Sequence, residues 1–262
     1  MRRAICVTLA GLGAALLPSA ARATAVHYEV YWGGFHAAEV ALASDHGPGG
    51  YHATLGIETA GLAERLSGLA VQAEASGRAG GRDTLTPHRF SADTEAKDSD
   101  TSLAVQYGGA NTPARIIENL TRRLTPDDDD QSPRPPVPPA LRVGTLDPLT
   151  ALVELGRRAA DCEAGHGPRR FVLPVYDGRQ RYDAHVTVGA AKSVTVHDRR
   201  LAGIDVDVTL VPLAGFRADG RQLWSNASFD ALIDPVTALP LRIVSKDFTI
   251  ATVIDAEAPP TP

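Results

Sequence analysis

The chain has 262 residues, of which 44% are hydrophobic and 22% charged, and its formal net charge is -5 at pH 7. This acidic balance argues against nucleic acid or an anionic membrane surface as the main partner, because both bind basic protein faces. A chain of this length and hydrophobic content can bury a substantial core, arranged as one large β domain or as two small ones.

The first 25 residues have the pattern of a secretory signal peptide. Met1-Arg2-Arg3 supplies positive charge, residues 4–17 are apolar, and small-x-small cleavage sites end at Ala23 and Ala25. The apolar run is too short for a membrane span, and no later segment approaches about 18 apolar residues. We therefore expect an exported, soluble chain without a transmembrane segment. Its 23 arginines against three lysines are typical of a GC-rich bacterial genome, which predicts a periplasmic location.

Alternation of polar and apolar residues with period two, the pattern of a half-buried strand, follows the signal peptide. Residues 26–32 and 35–43 flank Gly33-Gly34 and predict a hairpin. Residues 60–68, "AGLAERLSG", predict either a short helix or a bulged crossing. In total the pattern predicts about a dozen antiparallel strands. Beyond the first hairpin, the predicted strand segments are residues 51–59, 69–77, 88–96, 101–107, 114–119, 169–189, 203–216, 228–235, 239–247 and 248–255.

The strand pattern breaks at residues 125–144, which contain four consecutive aspartates and six prolines. This composition predicts a solvated, extended linker. A helix is predicted next, over residues 147–160, because Asp147 can cap it and Pro148 fits the first helical position. One helical face should carry its aliphatic residues, Leu149, Leu152, Val153 and Leu155.

The stretch "PVYDGRQRYD", residues 174–183, offers two carboxylates that suit either an acid–base pair or a hairpin. Asp177-Gly178 is the two-residue sequence preferred by a type I′ turn. Such a turn pairs Tyr176 with Arg179 and predicts one apolar face, made of Phe171, Leu173, Val175, Gln180, Tyr182, Ala184, Val186 and Val188. We therefore favour the hairpin, with Asp183 paired to arginines on the outer face, where water is poorly excluded for catalysis.

Other chemical signals are sparse. The chain has no G-x-S-x-G elbow, H-E-x-x-H helix, C-x-x-C pair or phosphate-binding glycine loop. His27, His36 and His52 would converge on a metal only if three separate strands aligned them. We therefore expect no catalytic residue, no metal and no cofactor. Cys162, the one cysteine beyond the signal peptide, is either buried or available for intermolecular pairing, and we favour burial.

The order of these motifs resembles a bacterial family called domain of unknown function 3108. The elements that carry the resemblance are "YEVYWGGFHAAEVAL", "GIETAGLAERLSGLAVQAEASGR", "LTPHRFSADTEA", "DPLTALVEL", "LPVYDGRQRYD" and "PLAGF". The resemblance implies an exported envelope protein, and its β-rich layout is similar to the helix-plugged half-barrels of the lipoprotein carriers LolA and LolB. No second cysteine precedes "PLAGF" here, in contrast to many members of the family.

The sequence thus predicts a mainly β fold, with a large curved antiparallel sheet or open half-barrel and one main helix against its concave face. A single domain should span residues 26–255, followed by a disordered tail, 256–262. The leading interpretation is a non-catalytic periplasmic carrier of an apolar small molecule or acylated envelope protein. Its predicted ligand-binding residues are Phe171, Leu173, Val175, Tyr182, Leu152 and Leu155. The alternatives are an envelope-integrity scaffold, binding periplasmic proteins through strand edges or the proline-rich linker, and a hydrolase.

Overall fold

A computed structural model of the protein describes residues 23–47, 49–80, 85–123, 134–196, 198–217, 227–246 and 251–258. Most of the predicted signal peptide, the four aspartates of the predicted linker and the end of the predicted tail lie outside the described residues. Within the described parts, no helix has the length and apolar character needed to cross a membrane.

One antiparallel sheet dominates the described residues. Its thirteen strands lie side by side in the order β7-β6-β5-β4-β3-β2-β1-β13-β12-β11-β10-β9-β8. Two meanders, β1–β7 and β8–β13, are therefore joined where β1 pairs with β13. The strands are β1 Ala23–Trp32, β2 Phe35–Gly47, β3 Gly50–Thr59, β4 Ala70–Arg78, β5 Thr86–Glu95, β6 Ser99–Gln106, β7 Arg115–Arg123, β8 Arg170–Tyr176, β9 Arg181–Val196, β10 Arg199–Ala214, β11 Ser228–Ile233, β12 Pro240–Ser245 and β13 Thr252–Ala256.

The sheet does not close, because its end strands β7 and β8 do not pair with each other. Two α-helices accompany it, α1 Gly61–Ser67 and α2 Pro148–Glu163. Single 3₁₀ turns lie at Gly109–Asn111 and Pro139–Arg142. The predicted fold class, a mainly β open sheet with one main helix, is confirmed.

Helix α2 lies inside the curve of the sheet and touches both meanders, β3 and β4 on one side and β8–β11 on the other. As predicted, Asp147 is its N-cap, with the Thr150 backbone N–H donating to Asp147 Oδ1 at 2.7 Å, and Pro148 opens the helix. The prediction of a single aliphatic face is wrong. Leu149 and Val153 belong to the core of the first meander, whereas Leu155 and Cys162 belong to the core of the second.

The hairpin between β8 and β9 corrects the sequence-based register. Tyr176 pairs with Arg181 rather than Arg179, so residues 177–180 form a four-residue loop instead of a type I′ turn. Gly178 has a positive φ of 94°, but Asp177 does not. Asp177 Oδ1 instead accepts the backbone N–H groups of Arg179 at 2.7 Å and Gln180 at 2.5 Å.

A register shift of two residues leaves each side chain on its predicted face. Leu173, Val175, Tyr182 and Val186 are buried, and Val172 and His185 on the other face are exposed. Tyr176 and Arg181 lie on the predicted polar face but are buried, which the sequence pattern did not predict. Asp183 pairs with Arg181, with 2.7 Å between Oδ1 and Nη1.

Residues 134–144, the described part of the predicted linker, pack against the sheet. Val137 is buried, and Arg142 Nε donates to its carbonyl at 2.8 Å. Pro113 forms an isolated bridge with Val143, and Leu146 forms a parallel bridge with Val175 beside the edge of β8. The last strand runs to Ala256, the first residue of the predicted tail.

Candidate functional site

Four of the predicted ligand-binding residues, Leu173, Val175, Tyr182 and Leu155, meet in one buried cluster between α2 and strands β8–β11. Phe171 is half-buried against the same cluster, and the guanidinium carbon of Arg158 lies 5.2 Å from the centroid of the Phe171 ring. Leu152 packs against the cluster of the first meander instead. In this arrangement α2 fills the concave face, so the predicted lining residues contact protein.

Buried polar groups hold α2 against the first meander. Thr150 Oγ1 donates to Asp147 Oδ2 at 2.5 Å and lies 2.6 Å from the hydroxyl of Tyr51 on β3. Asp147 and Thr150 are both completely buried. Burial raises the pKa of Asp147 to about 6, although hydrogen bonds from Thr150 oppose that shift. Burial likewise raises the pKa of Tyr51 above its usual range.

One turn further along α2, the buried carboxylate of Glu154 is fully engaged. Arg157 donates to it from Nε at 3.0 Å and from Nη2 at 3.1 Å, and Arg158 Nε donates at 2.6 Å. The backbone N–H of Leu85 adds a fourth contact at 3.3 Å. Such a carboxylate is suited to holding the helix rather than to transferring a proton.

The open side of the sheet lies between β7 and the β8–β9 hairpin, and we call this region the seam. Arg179 Nη2 spans it, donating to Asn119 Oδ1 of β7 at 3.3 Å. Below the hairpin, the Tyr107 hydroxyl donates to the Tyr176 carbonyl at 2.5 Å. Strand β7 is exposed over its whole length, and Ile116, Ile117 and Leu120 are 40%, 49% and 63% exposed.

A cleft of about 530 Å³ occupies the seam. Ile116, Val137 and Tyr176 give it an apolar part, and Asp98 contributes a carboxyl group. Its most conspicuous feature is its basic lining, which consists of Arg123, Arg134, Arg142, Arg179 and Arg217. We call these five side chains the arginine cluster.

Exposed apolar side chains lie at the same end of the sheet as the cleft. Trp32 and Phe35 flank the β1–β2 turn, and Leu62 and Leu66 lie on the exposed helix α1. Lys97 connects α1 with the cleft, since its backbone N–H donates to the Ser67 carbonyl at 3.0 Å and the next residue, Asp98, lines the cleft. This end of the molecule therefore combines apolar surface with concentrated positive charge.

Metal ligation has no support in the described residues, where no three His, Cys, Asp or Glu side chains converge. The three histidines named above lie on β1, β2 and β3, and His52 Nε2 lies 2.8 Å from Glu74 Oε1. The seam places five guanidinium groups, each with a planar set of N–H donors, beside an apolar wall.

Neither the arginine cluster nor the contacts of Glu154 were predicted from the sequence. The Glu154 contacts had a local signal, because arginines three and four residues later lie on the same side of a helix. The arginine cluster had none, since its members come from four separate parts of the chain.

Comparison with known proteins gives a family and a fold. A search of curated proteins found no match. A solved structure, a β-barrel-like protein of domain of unknown function DUF1849 from Brucella abortus, is similar with a TM-score of 0.50 and 12% identity, over 91% of this chain and 100% of that one. The family model "Protein of unknown function (DUF3108)" matches residues 27–242. The chain belongs to the DUF3108 family.

Proposed function

We propose that the protein is a non-catalytic carrier of the bacterial cell envelope, exported to the periplasm, that binds a lipid or an acylated protein between α2 and the concave face of the sheet. The observation that carries this proposal is the seam. A sheet that stays open beside a cleft of about 530 Å³ offers a route from solvent toward its apolar interior.

Ligand entry requires α2 to move, because Leu173 and Val175 are about 1% exposed beneath it. The helix is not a member of the sheet, so its displacement breaks no strand-to-strand hydrogen bond. It breaks the hydrogen bonds that link Thr150 to Tyr51 and Glu154 to Leu85. It also breaks the contacts of the two apolar clusters, which the acyl chain of a ligand replaces with contacts of the same kind. The ligand thereby selects the displaced position of α2.

The exposed apolar end of the sheet supports the handling of an apolar ligand. Phe35 is 78% exposed, and Leu62 and Leu66 are each 69% exposed. Grouped apolar side chains of this kind mark contact sites for apolar partners rather than random surface composition. Three carboxyl groups support a binding role over a catalytic one, because the buried Asp147 and Glu154 and the partly buried Asp177 are each engaged in holding the backbone or another side chain.

The test uses a neutral fluorescent probe, N-phenyl-1-naphthylamine, added to delipidated protein. We expect saturable binding and displacement of the probe by a long-chain lipid. Ile116→Asp, which places a charge on the apolar wall of the cleft, should weaken binding at least fivefold. Val236→Asp is the matched control, because Val236 is an exposed aliphatic residue that does not line the cleft. Correctly folded, delipidated protein that fails to bind the probe would overturn the carrier proposal.

A second candidate function, a scaffold for envelope proteins, is favoured by β7. Among the described strands it pairs with β6 alone, and it exposes apolar side chains along its length, as a strand that accepts a partner strand does. A photoreactive amino acid at position 120 should then form an adduct of one defined mass in cells, whereas the same group at position 236 should not. Such an adduct, together with no probe binding, would favour the scaffold.

A further inference from the structure

The arginine cluster concentrates positive charge in a chain whose net charge is negative. Five of the 23 arginines line one cleft, and Asp98 is the only acidic residue among the lining residues that the structure describes. Like charges held together destabilise a folded protein unless a counter-charge joins them. An anion bound in the cleft would therefore reduce the repulsion between these arginines.

Arg217 provides a second and independent indication. Its Nε–H is buried and has no hydrogen-bond partner within the described residues. A buried donor without a partner costs about 1–3 kcal/mol, so such groups are rare unless a ligand or ion engages them. The neighbouring Arg134 has a pKa lowered by loss of water around its guanidinium and by the charges of Arg217 and Arg179. It stays charged at neutral pH, because an arginine retains its proton well above pH 7.

Two other members of the cluster have structural contacts that fix the walls. Arg142 donates to the Val137 carbonyl, and its guanidinium carbon lies 5.7 Å from the centroid of the Tyr176 ring, whereas Arg179 donates to Asn119 across the seam. The carboxyl of Asp177, in the hairpin loop, already accepts two backbone N–H groups. The donors of Arg134 and Arg217 thus face a cleft whose walls are held in place.

We propose that the arginine cluster binds a phosphate group, and that this phosphate is the headgroup of the apolar ligand. The second half of the proposal rests on the carrier function. A guanidinium presents a planar pair of donors that matches two phosphate oxygens, and several arginines suit a tetrahedral anion of more than one charge better than they suit a single carboxylate. Ile116, Val137 and Tyr176 line the same cleft, so the first part of an acyl chain finds an apolar wall next to the phosphate.

The experiment titrates the purified protein by calorimetry with inorganic phosphate, with dihexanoyl phosphatidic acid, and with an uncharged glyceride of the same chain length. We expect the phospholipid to bind at least tenfold more tightly than inorganic phosphate, the glyceride to bind weakly, and affinity to fall with rising salt. Arg134→Gln combined with Arg217→Gln should weaken phosphate binding at least tenfold. Arg217→Lys should also weaken it, because an ammonium cannot reproduce the donor pair.

Arg200→Gln is the matched control, since Arg200 is exposed on β10 and outside the cleft. It changes the net charge equally and should leave phosphate binding unchanged.

Two results would overturn the proposal: no binding of phosphate or phospholipid, or equal loss of binding in the control. No preference for phospholipid over inorganic phosphate would overturn only the assignment of the phosphate as a lipid headgroup. Failure of this inference differs from failure of the carrier proposal, because the neutral probe carries no charge and its binding does not depend on the arginine cluster.

Discussion

Glu154 beside α2 and Arg217 at the seam are two buried charged side chains that differ in their hydrogen bonds. Glu154, fully buried in the interior, accepts hydrogen bonds from two arginines and a backbone N–H. Arg217, at the seam, has a buried Nε–H with no partner among the described residues. The difference separates two uses of charge in one protein, because the satisfied group stabilises the fold and the unsatisfied group is available to a ligand.

Apolar side chains divide in the same way. Leu173 and Val175 are buried against α2, whereas Ile116 and Leu120 on β7 remain substantially exposed. Substitutions in the interior should therefore change the free energy of unfolding, and substitutions at the seam should change binding with little effect on stability.

The largest effect is expected at Glu154. Glu154→Ala removes the acceptor shared by Arg157 and Arg158 and leaves the Leu85 N–H without its contact, which should cost about 3–5 kcal/mol in the free energy of unfolding. Urea denaturation measures the loss. Glu118→Ala on the exposed strand β7 is the control and should cost less than about 0.5 kcal/mol. Equal losses in the two variants would remove the distinction between interior and seam.

The next effect concerns pH and Asp147. Its pKa of about 6 in the folded protein exceeds the unfolded value near 3.9, so the folded protein binds more protons between these limits. This carboxyl therefore stabilises the fold below about pH 4, and its contribution is lost as the pH rises through 6. Asp147→Asn keeps a capping side chain but does not titrate. The stability of the natural protein relative to this variant should fall by about 2–3 kcal/mol from pH 4 to pH 7. A constant difference across that range would contradict the prediction.

The third effect is expected at Gly178, which lines the cleft and also contacts the buried core. A Cβ at this position would lie 2.8 Å from Val105 Cγ2 and 3.0 Å from Leu103 Cδ2, on a backbone with a φ of 94°. Gly178→Val combines strain with overlap and should cost about 2 kcal/mol or more. Gly144→Val is the control, because Gly144 has a φ of 65° but no atom within 4 Å of its Cβ position. Thermal denaturation should show the larger loss for Gly178→Val, and equal losses would show that overlap is unimportant.

Much of the interior could be predicted from the sequence. Period-two alternation located the strands, and Asp147 and Pro148 located the start of α2, because each of these signals acts within a few residues. The hairpin loop was predicted two residues too short, since the Asp-Gly pair favours a tight turn but the side chain of Asp177 stabilises a wider one. The single apolar face of α2 was wrong because the helix lies between two meanders, a fact of topology that no local pattern records.

The seam could not be predicted in the same way. Four members of the cluster, Arg123, Arg142, Arg179 and Arg217, are separated by 19 residues or more along the chain. They meet because the two end strands of the sheet, β7 and β8, are consecutive strands from the middle of the chain. Arg134 belonged to a segment whose composition predicted a solvated linker, although Val137, three residues later, is buried. Charge at the surface has no periodicity that predicts where it gathers.

The smallest effect is expected at Leu120, where a substitution compares the stability contribution of the seam directly with that of the interior. Leu120 pairs with Ser102 on β6 and is largely exposed, so Leu120→Lys should change the free energy of unfolding by less than about 0.5 kcal/mol. Leu103→Lys, on the adjacent strand, places the same charge in the buried core and should cost more than about 2 kcal/mol. Because a lysine on an edge strand opposes pairing with another chain, Leu120→Lys should also reduce any self-association seen by sedimentation at high concentration. A loss of stability above about 1 kcal/mol in Leu120→Lys would mean that β7 contributes to the core and that the seam is not a separate region.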